Sequence, residues 1–352
     1  MSALCRHFGT CGGCADQDMP DEAYRALKCE TVVRALARHG LGDADVGDVV
    51  EVAPGTRRRC VFKIVKKNGE VLVGFHARAS HSIVDMQECL VLTPGLFGLA
   101  GGVRTMMGEI LGDNEAAELH ATETDTGFDV ALRWPRKTTP ALVATLARWA
   151  GQANVARITS GNDILVELAQ PSLRIGKAEV RLPPFAFLQP TREGEAFLQS
   201  QVRDALSGAK SVVDLFAGCG TFALVLAEKA KVLAVELDAT MLEALTGAAR
   251  NAKGLKPVAT EKRDLFKRPL MARELNAFDG VSLDPPRAGA EAQVAQLAQS
   301  KVGRIAYVSC SAESFARDAR VLVHAGFKMN PVIPVDQFLW SEHIELVASF
   351  RR

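Results

Sequence analysis

The chain has 352 residues, of which 48% are hydrophobic, and its formal net charge is +1 at pH 7. This length predicts two domains, or one domain with a sizeable appendage, and each half has enough apolar residues to bury its own core. The near-neutral charge excludes a uniformly basic nucleic-acid-binding protein, so such a partner must be argued from local charge. No apolar run reaches the roughly 20 residues of a membrane-spanning helix, and no signal-peptide pattern follows Met1. We therefore expect a cytoplasmic protein with reduced thiols.

The N-terminal segment is rich in cysteine and glycine. Cys5, Cys11 and Cys14 form a C-x5-C-x2-C pattern. Three closely spaced thiols are typical of a metal site that a fourth ligand completes, and thiol-only sites suit zinc or an iron–sulfur cluster. Free buried thiols are the alternative. The pattern does not distinguish between the two kinds of metal site.

A helix and a hairpin are predicted next. Apolar residues recur at helical spacing over residues 24–39, and Gly40 is a suitable stop. Strands are predicted over 60–65 and 71–75, joined by Asn68-Gly69, which is a strong hairpin signal. Six basic residues crowd this hairpin, namely Arg57, Arg58, Arg59, Lys63, Lys66 and Lys67. This cluster predicts either a phosphate-binding surface or a solvated strand face.

The second half of the chain alternates strands with helices. Pro183-Pro184 marks the predicted boundary between a domain of residues 1–184 and a domain of residues 185–352. Strands are predicted over 211–216, 232–236, 280–283, 304–309 and 344–350. This alternation predicts an α/β domain, with a parallel sheet that carries helices on both faces.

Acidic residues stand at or near the ends of three of these strands. Asp214 begins the turn Asp-Leu-Phe-Ala-Gly-Cys-Gly-Thr, Glu236 ends the second strand, and Asp284 begins Asp-Pro-Pro-Arg. Ligands bind such sheets at the carboxyl ends of the strands, and a carboxylate at Glu236 suits ribose hydroxyls. A dinucleotide site is one possibility, but Ala223 replaces the third glycine of its fingerprint, and an acidic Asp214 suits the cationic end of S-adenosylmethionine. A structural glycine turn, together with a helix N-cap at Asp284, would account for the same residues without any ligand.

Cys310 directly follows the strand over 304–309, so it also lies at the carboxyl edge. It is either a small buried residue or a thiolate nucleophile. Here the chain resembles the RNA uracil-5-methyltransferases. The resemblance rests on Phe187-Leu188-Gln189, Tyr307-Val308-Ser309-Cys310, Phe315-Ala316-Arg317-Asp318, Asp336-Gln337-Phe338 and His343-Ile344-Glu345. It covers nearly the whole chain and, with the cysteine pattern, is strongest to the iron–sulfur-containing branch that modifies bacterial 23S ribosomal RNA.

The resemblance implies a Rossmann-like class I methyltransferase sheet preceded by an α+β domain that binds RNA and an iron–sulfur cluster. It implies that Cys310 adds to C6 of a uracil, that C5 then accepts a methyl group from S-adenosylmethionine, and that Glu345 removes the C5 proton. The implied cofactor contacts are Gln189, Phe216, Thr221, Glu236, Asp264 and Asp284. Without the resemblance, Glu345 would be taken for an ordinary charged residue at the start of a strand.

The resemblance also implies a 4Fe–4S cluster, with Cys89 as the fourth ligand beside Cys5, Cys11 and Cys14. Cys29 is the rival, but it falls within a predicted helix. The implied partner is RNA, foremost 23S ribosomal RNA, with no DNA and no membrane, and we expect a monomer. The N-terminal RNA-binding barrel frequent in the family is not expected, because the cysteine pattern begins at Cys5, so the first half must capture RNA.

The chain departs from the family in two loops. Ser311-Ala312 stands where the family usually has Asn-Pro, and Leu339-Trp340-Ser341 stands where Pro and Thr are common. Neither change removes a reacting group. Three further functions stay open: methylation of a uridine in transfer RNA, methylation of an amino group, and RNA binding by an iron–sulfur protein without catalysis. An amino-group enzyme would need neither Cys310 nor Glu345.

Overall fold

The computed structural model describes residues 4–161 and 163–352. The helices are α1 (Asp21–Arg38), α2 (Pro94–Ile110), α3 (Pro140–Gln152), α4 (Arg192–Ala205), α5 (Ala223–Leu226), α6 (Ala239–Asn251), α7 (Ala272–Leu275), α8 (Glu291–Gln299) and α9 (Ala312–His324). The strands are β1 (Val50–Glu51), β2 (Arg59–Lys67), β3 (Glu70–His76), β4 (Ile83–Asp85), β5 (Ala116–Thr124), β6 (Gly127–Arg133), β7 (Val155–Ser160), β8 (Asp163–Glu167), β9 (Ser172–Ile175), β10 (Ala178–Arg181), β11 (Ser211–Leu215), β12 (Lys231–Glu236), β13 (Val258–Lys262), β14 (Gly280–Leu283), β15 (Arg304–Ser309), β16 (Lys328–Met329), β17 (Ile333–Asp336) and β18 (Glu345–Arg351).

The first sheet has the strand order β4-β3-β2-β5-β6-β7-β8. Helices α2 and α3 cover one of its faces, where Phe62, Leu96 and Leu146 are fully buried in one core. The predicted hairpin is confirmed: β2 pairs antiparallel with β3, and Asn68 and Gly69 have φ angles of 51° and 81°. Two positive φ angles match the tight turn that Asn-Gly favours.

The second sheet has the strand order β1-β17-β18-β15-β14-β11-β12-β13. Strands β11 to β15 run parallel, and their order along the chain reverses between β11 and β14, where such sheets bind ligands. The prediction of a parallel sheet is wrong for the last strand. β18 is antiparallel to both β15 and β17, because the chain returns from β17 through a loop with no helix.

Part of the N-terminal half packs against the second sheet. Helix α1 lies against α9, and β1 pairs with β17. Val32 and Leu36 of α1 share a buried core with Val213 and Phe315. The division at residue 184 stays a prediction, and residues 21–51 belong by their packing to the second sheet. None of the described helices is long and apolar enough to cross a membrane.

Candidate active site

The return of β18 places two predicted reacting groups side by side. In the antiparallel ladder between β15 and β18, Ser309 pairs with Leu346. Continuing this register by one residue sets Cys310 opposite Glu345. Glu345 also pairs with Val335 on its other side, so its backbone is fixed between two strands. A wholly parallel sheet would have put the start of the last strand at the opposite edge, far from Cys310.

The thiol and its neighbouring carboxyls perturb one another. Burial, and then Glu345 and Asp284, raises the pKa of Cys310 to about 11, although Arg287 acts to lower it. Burial, and then Asp284, raises the pKa of Glu345 well above its ordinary value. Burial, and then Asp214, raises the pKa of Asp284 to about 8. Among residues 4–161 and 163–352, no basic side chain forms a salt bridge with any of these carboxyls, so the pocket is acidic and favours a cationic ligand.

Asp214 is the most isolated of these groups. It is 1% exposed, and neither carboxylate oxygen forms a hydrogen bond of good geometry in the described part of the chain, although the Ser282 hydroxyl and the Ala223 amide lie close enough to lower its pKa. Burial raises its pKa to about 7. A buried carboxylate without a partner is costly, and an ammonium or sulfonium group would satisfy it. This observation fits the cationic end of S-adenosylmethionine.

The glycine turn after β11 brings the backbone up to Glu236. The φ angles of Phe216, Gly218 and Gly220 are 63°, 52° and 101°. A Cβ atom at Gly220 would lie 3.0 Å from side chains of Leu224 and Leu245, so both conformation and space favour glycine there. The amide of Gly218 donates to Glu236 Oε2 at 3.0 Å. Glu236 Oε1 also accepts from the amides of residues 237 and 238, so its carboxylate is oriented before any ligand binds.

The other predicted cofactor residues lie around the same edge. The rings of Phe216 and Phe266 are 5.5 Å apart and tilted, which leaves an aromatic surface at the end of β11. Asp264 Oδ1 accepts from the amides of Phe266 and Lys267, at 3.1 and 3.2 Å. The carbonyl of Thr221 accepts from Gln199 at 3.1 Å, so its hydroxyl is not used in that contact.

Gln189 connects the acidic pocket to the first sheet. Its Nε2 donates to Asp284 Oδ2 at 3.3 Å, and its Oε1 accepts from Gln337 Nε2 at 3.0 Å. Its backbone carbonyl accepts from Arg58 Nε at 2.9 Å. Arg58 also pairs with Glu195 at 2.6 Å, and its side chain is only 2% exposed. Arg58 therefore connects the start of the hairpin to Gln189 and Glu195 in the second half of the chain. Because its side chain is buried, the prediction that it belongs to a phosphate-binding surface is wrong.

The remaining basic residues of the hairpin differ in what they contact and in which face of β2 they occupy. Lys66 donates to the carbonyl of Gly108 at 2.8 Å, and Lys63 forms an ion pair with Glu118. Arg59 lies over the ring of Phe187 at 4.5 Å, and that ring is 62% exposed. Because strand side chains alternate, Arg59, Lys63 and Lys67 share the face of β2 that α2 and α3 leave open.

One supporting pair had no role assigned from sequence. Asp318 is 1% exposed and accepts from the Tyr307 hydroxyl at 2.6 Å and the Ala290 amide at 2.7 Å. Arg317 donates to Asp318 at 2.9 Å and to the carbonyl of Ala288 at 3.0 Å. These contacts fix the loop that begins at Asp284. The sequence offered an acidic residue within a predicted helix as a signal, but not its burial or its contact with Ala290, 28 residues earlier in the chain.

The four predicted cluster ligands line the same cavity, which has a volume of about 300 Å³; they are Cys5, Cys11, Cys14 and Cys89. Burial, and then the thiols of Cys89, Cys11 and Cys5, raises the pKa of Cys14 to about 12. Cys29 does not line this cavity; its thiol contacts the carbonyl of Gly47 at 3.7 Å. In the described ranges, no three His, Cys, Asp or Glu side chains converge closely enough to hold a metal ion.

Comparisons with known proteins place this geometry in a family. Residues 150–351 match the model for tRNA (uracil-5-)-methyltransferases. A protein named as an uncharacterized RNA methyltransferase from Rhizobium meliloti is 42% identical over 99% of this chain and 85% of its own length. The 23S rRNA (uracil(1939)-C(5))-methyltransferase of Halomonas elongata is 34% identical over 97% of this chain and 74% of its own.

A solved structure shares the fold. The tRNA (uracil-54, C5)-methyltransferase of Pyrococcus abyssi, in complex with S-adenosyl-L-homocysteine, aligns with a TM-score of 0.76. The alignment covers 97% of this chain and 84% of that protein, at 21% sequence identity. It confirms the predicted α/β class with a Rossmann-like methyltransferase sheet.

Proposed function

Because the chain belongs to the tRNA (uracil-5-)-methyltransferase family, we propose that it transfers a methyl group from S-adenosylmethionine to C5 of a uridine in RNA. The observation that carries this proposal is the register of β15 and β18, which sets Cys310 opposite Glu345. A nucleophile and a base at adjacent positions are what uracil C5 chemistry requires. An amino-group methyltransferase has no use for either group.

Each reacting group has one task in the proposed mechanism. Cys310 Sγ, as the thiolate, adds to C6 of the uracil, and the electron pair of the C5–C6 double bond moves to make C5 nucleophilic. S-adenosylmethionine, when bound, supplies the methyl group that C5 accepts. Glu345 then removes the C5 proton, the double bond re-forms, and the C6–S bond breaks to release Cys310. Arg287 favours the thiolate, because it lowers the pKa of Cys310.

The donor set at the sheet edge fits the cofactor. Asp214 would face its cationic end, since this buried carboxylate forms no hydrogen bond of good geometry in the described residues. Glu236 would take the ribose hydroxyls, and Gln189 with Asp284 would lie toward the reacting groups. Phe216, Thr221 and Asp264 complete the proposed contacts.

We propose ribosomal RNA as the substrate class, because the Halomonas elongata relative is named as a 23S rRNA enzyme. Transfer RNA is the alternative, because the family's own description names it. Lys67 is exposed on the open face of β2 and would meet phosphates; on the same face, Arg59 and Lys63 would have to exchange their present partners, the Leu188 carbonyl and Glu118, to do so. The exposed ring of Phe187 lies at the end of that face nearest Gln189, and an unpaired base could stack on it.

The decisive test is covalent trapping. Fluorine at C5 cannot leave as a proton, so RNA that carries 5-fluorouridine should remain attached to Cys310 after methyl transfer and migrate with the protein on a denaturing gel. Cys310→Ala should form no adduct and methylate nothing. Normal methylation by Cys310→Ala would overturn the mechanism. Mass spectrometry of 23S and transfer RNA from a deletion strain would show which RNA loses 5-methyluridine.

We further propose that Cys5, Cys11, Cys14 and Cys89 bind a 4Fe–4S cluster. A cluster occupies the space between its ligands, so thiols that surround a cavity suit it better than they suit a single ion. Such a cluster would cross-link the N-terminal loop to the segment after β4.

Iron and sulfide analysis of anaerobically purified protein tests the cluster. We expect about four iron atoms per chain, their loss in Cys89→Ala, and their retention in the control Cys29→Ala. Stoichiometric zinc without iron would overturn the proposal.

A further inference from the structure

A buried ionic network joins α1 to the loop that precedes Glu345. We call residues 337–344, between β17 and β18, the closing loop. Lys28 Nζ pairs with Asp336 Oδ1 at 3.0 Å, and these side chains are 3% and 0% exposed. Lys28 also donates to the carbonyls of Ser341 and His343, both at 2.6 Å. The three donors of the ammonium group are therefore all used, two of them on the closing loop.

Tyr24 completes this network from the preceding turn of α1. Its hydroxyl donates to Asp336 Oδ2 and accepts from the amide of Trp340 at 2.7 Å. Buried ion pairs add little net stability compared with well-packed apolar residues, because both charges lose their hydration. Such a network can instead hold the backbone in a single conformation, because its side chains form hydrogen bonds with the carbonyls and amides of that backbone.

Trp340 continues the connection to the cysteine-rich segment. Its φ angle is 58°, in the left-handed region that bulky residues rarely adopt. In this conformation its amide points to Tyr24, and its carbonyl accepts from the amides of Ala15 and Asp16, at 2.7 and 3.1 Å. Ala15 directly follows Cys14. The strained residue thus forms hydrogen bonds with two segments that are more than 300 positions away along the chain.

We propose that Tyr24, Lys28 and Asp336 are positioning residues: they hold the closing loop so that Glu345 faces Cys310, and Trp340 couples that loop to the cysteine-rich segment. The inference rests on the proposed function, since proton removal by Glu345 is the step it would affect. None of the three side chains needs to contact the RNA or the cofactor. Their effect would pass through the backbone that leads directly into β18.

Two variants separate positioning from simple destabilisation. Tyr24→Phe removes one hydroxyl, and Lys28→Met removes the ammonium group while keeping an unbranched apolar side chain. In each, hydrogen–deuterium exchange should speed up at the amides of Trp340, Ala15 and Asp16. With RNA that carries tritium at C5, tritium release should slow by roughly 10- to 100-fold, the loss expected of a misplaced catalytic group. Affinity for S-adenosylhomocysteine should stay within about 2-fold, because none of the three side chains contacts a proposed cofactor residue, and Gln337, the loop residue that donates to Gln189, also accepts from Thr191 at 3.4 Å.

The matched control is Arg157→Met, which removes another buried cation, the partner of Asp129, from the first sheet. It should lower the melting temperature without changing exchange in the closing loop or the ratio of methyl uptake to tritium release. Unchanged exchange at Trp340, Ala15 and Asp16 in both Tyr24→Phe and Lys28→Met would overturn the inference. It would also be overturned if Arg157→Met changed the ratio of methyl uptake to tritium release as much as Tyr24→Phe and Lys28→Met do. If the wild-type protein methylates no RNA, the proposed function fails, and the exchange measurement still decides whether the network orders the loop.

Discussion

Replacing Glu345 with glutamine should separate methyl transfer from proton removal. Glutamine keeps the size of the side chain and accepts hydrogen bonds, but it cannot take a proton from C5. Loss of a general base costs roughly 100- to 10,000-fold in rate, which is about 3 to 5 kcal/mol of activation free energy. The rate at which the Cys310 thiolate attacks C6 should not fall in the same way. Glu345 helps to raise the pKa of Cys310, so Glu345→Gln should lower that pKa and leave attack at C6 as fast as before or faster.

A single-turnover experiment measures both steps at once. RNA transcribed with tritium at C5 is mixed with excess enzyme and carbon-14-labelled cofactor, and methyl uptake and tritium release are followed together. The wild-type protein should show the two signals in parallel. Glu345→Gln should take up methyl into an adduct that resists denaturation, while its tritium release should be slower by roughly 100- to 10,000-fold. Glu342→Gln, an exposed neighbour in the closing loop, is the control and should behave as wild type.

The pH dependence of tritium release has a definite sign. Glu345 acts in its ionised form, and burial and Asp284 raise its pKa. Release should therefore rise with pH through a midpoint above the ordinary carboxyl value of about 4.3, and it should be lost as the pH falls through that raised pKa. The reasoning is refuted if Glu345→Gln releases tritium at the wild-type rate, in step with methyl uptake.

Three further outcomes are expected. Asp214→Asn should weaken S-adenosylhomocysteine binding in calorimetry by about 10- to 150-fold, the value of one charged hydrogen bond. Because the pKa of Asp214 is about 7, the affinity of the wild-type protein should decrease when the pH is lowered below that value, and the affinity of the variant should not. Arg58→Met leaves Glu195 buried without its cation and should cost about 3 to 5 kcal/mol in denaturant unfolding. Gly74→Ala should lower the melting temperature sharply, because its Cβ would overlap the carbonyl oxygen of Val84.

Local patterns in the sequence were sufficient for the elements and for much of the site. The Asn68-Gly69 turn and the alternation of strands with helices follow from short-range backbone and side-chain preferences, and both are confirmed. Asp214 lies near the end of a predicted parallel strand, and Asp284 and Cys310 directly follow two others, so their meeting at one edge could be derived from the order of the elements alone. Their chemical roles came from the family resemblance and stay predictions.

Only the tertiary structure decided how distant segments use those elements. The direction of β18 depends on its pairing with β17, from which the chain returns through a loop with no helix, and no pattern within residues 344–350 encodes that pairing. Arg58 resembles the five other cations around it until Glu195 is placed beside it. Lys28 lies among apolar helix residues and acquires a partner only when Asp336 is folded against it. The sequence by itself determined which residues stand at the ends of strands, because that depends on neighbours along the chain. The structure decided which of them face one another, because burial and charge pairing depend on neighbours in space.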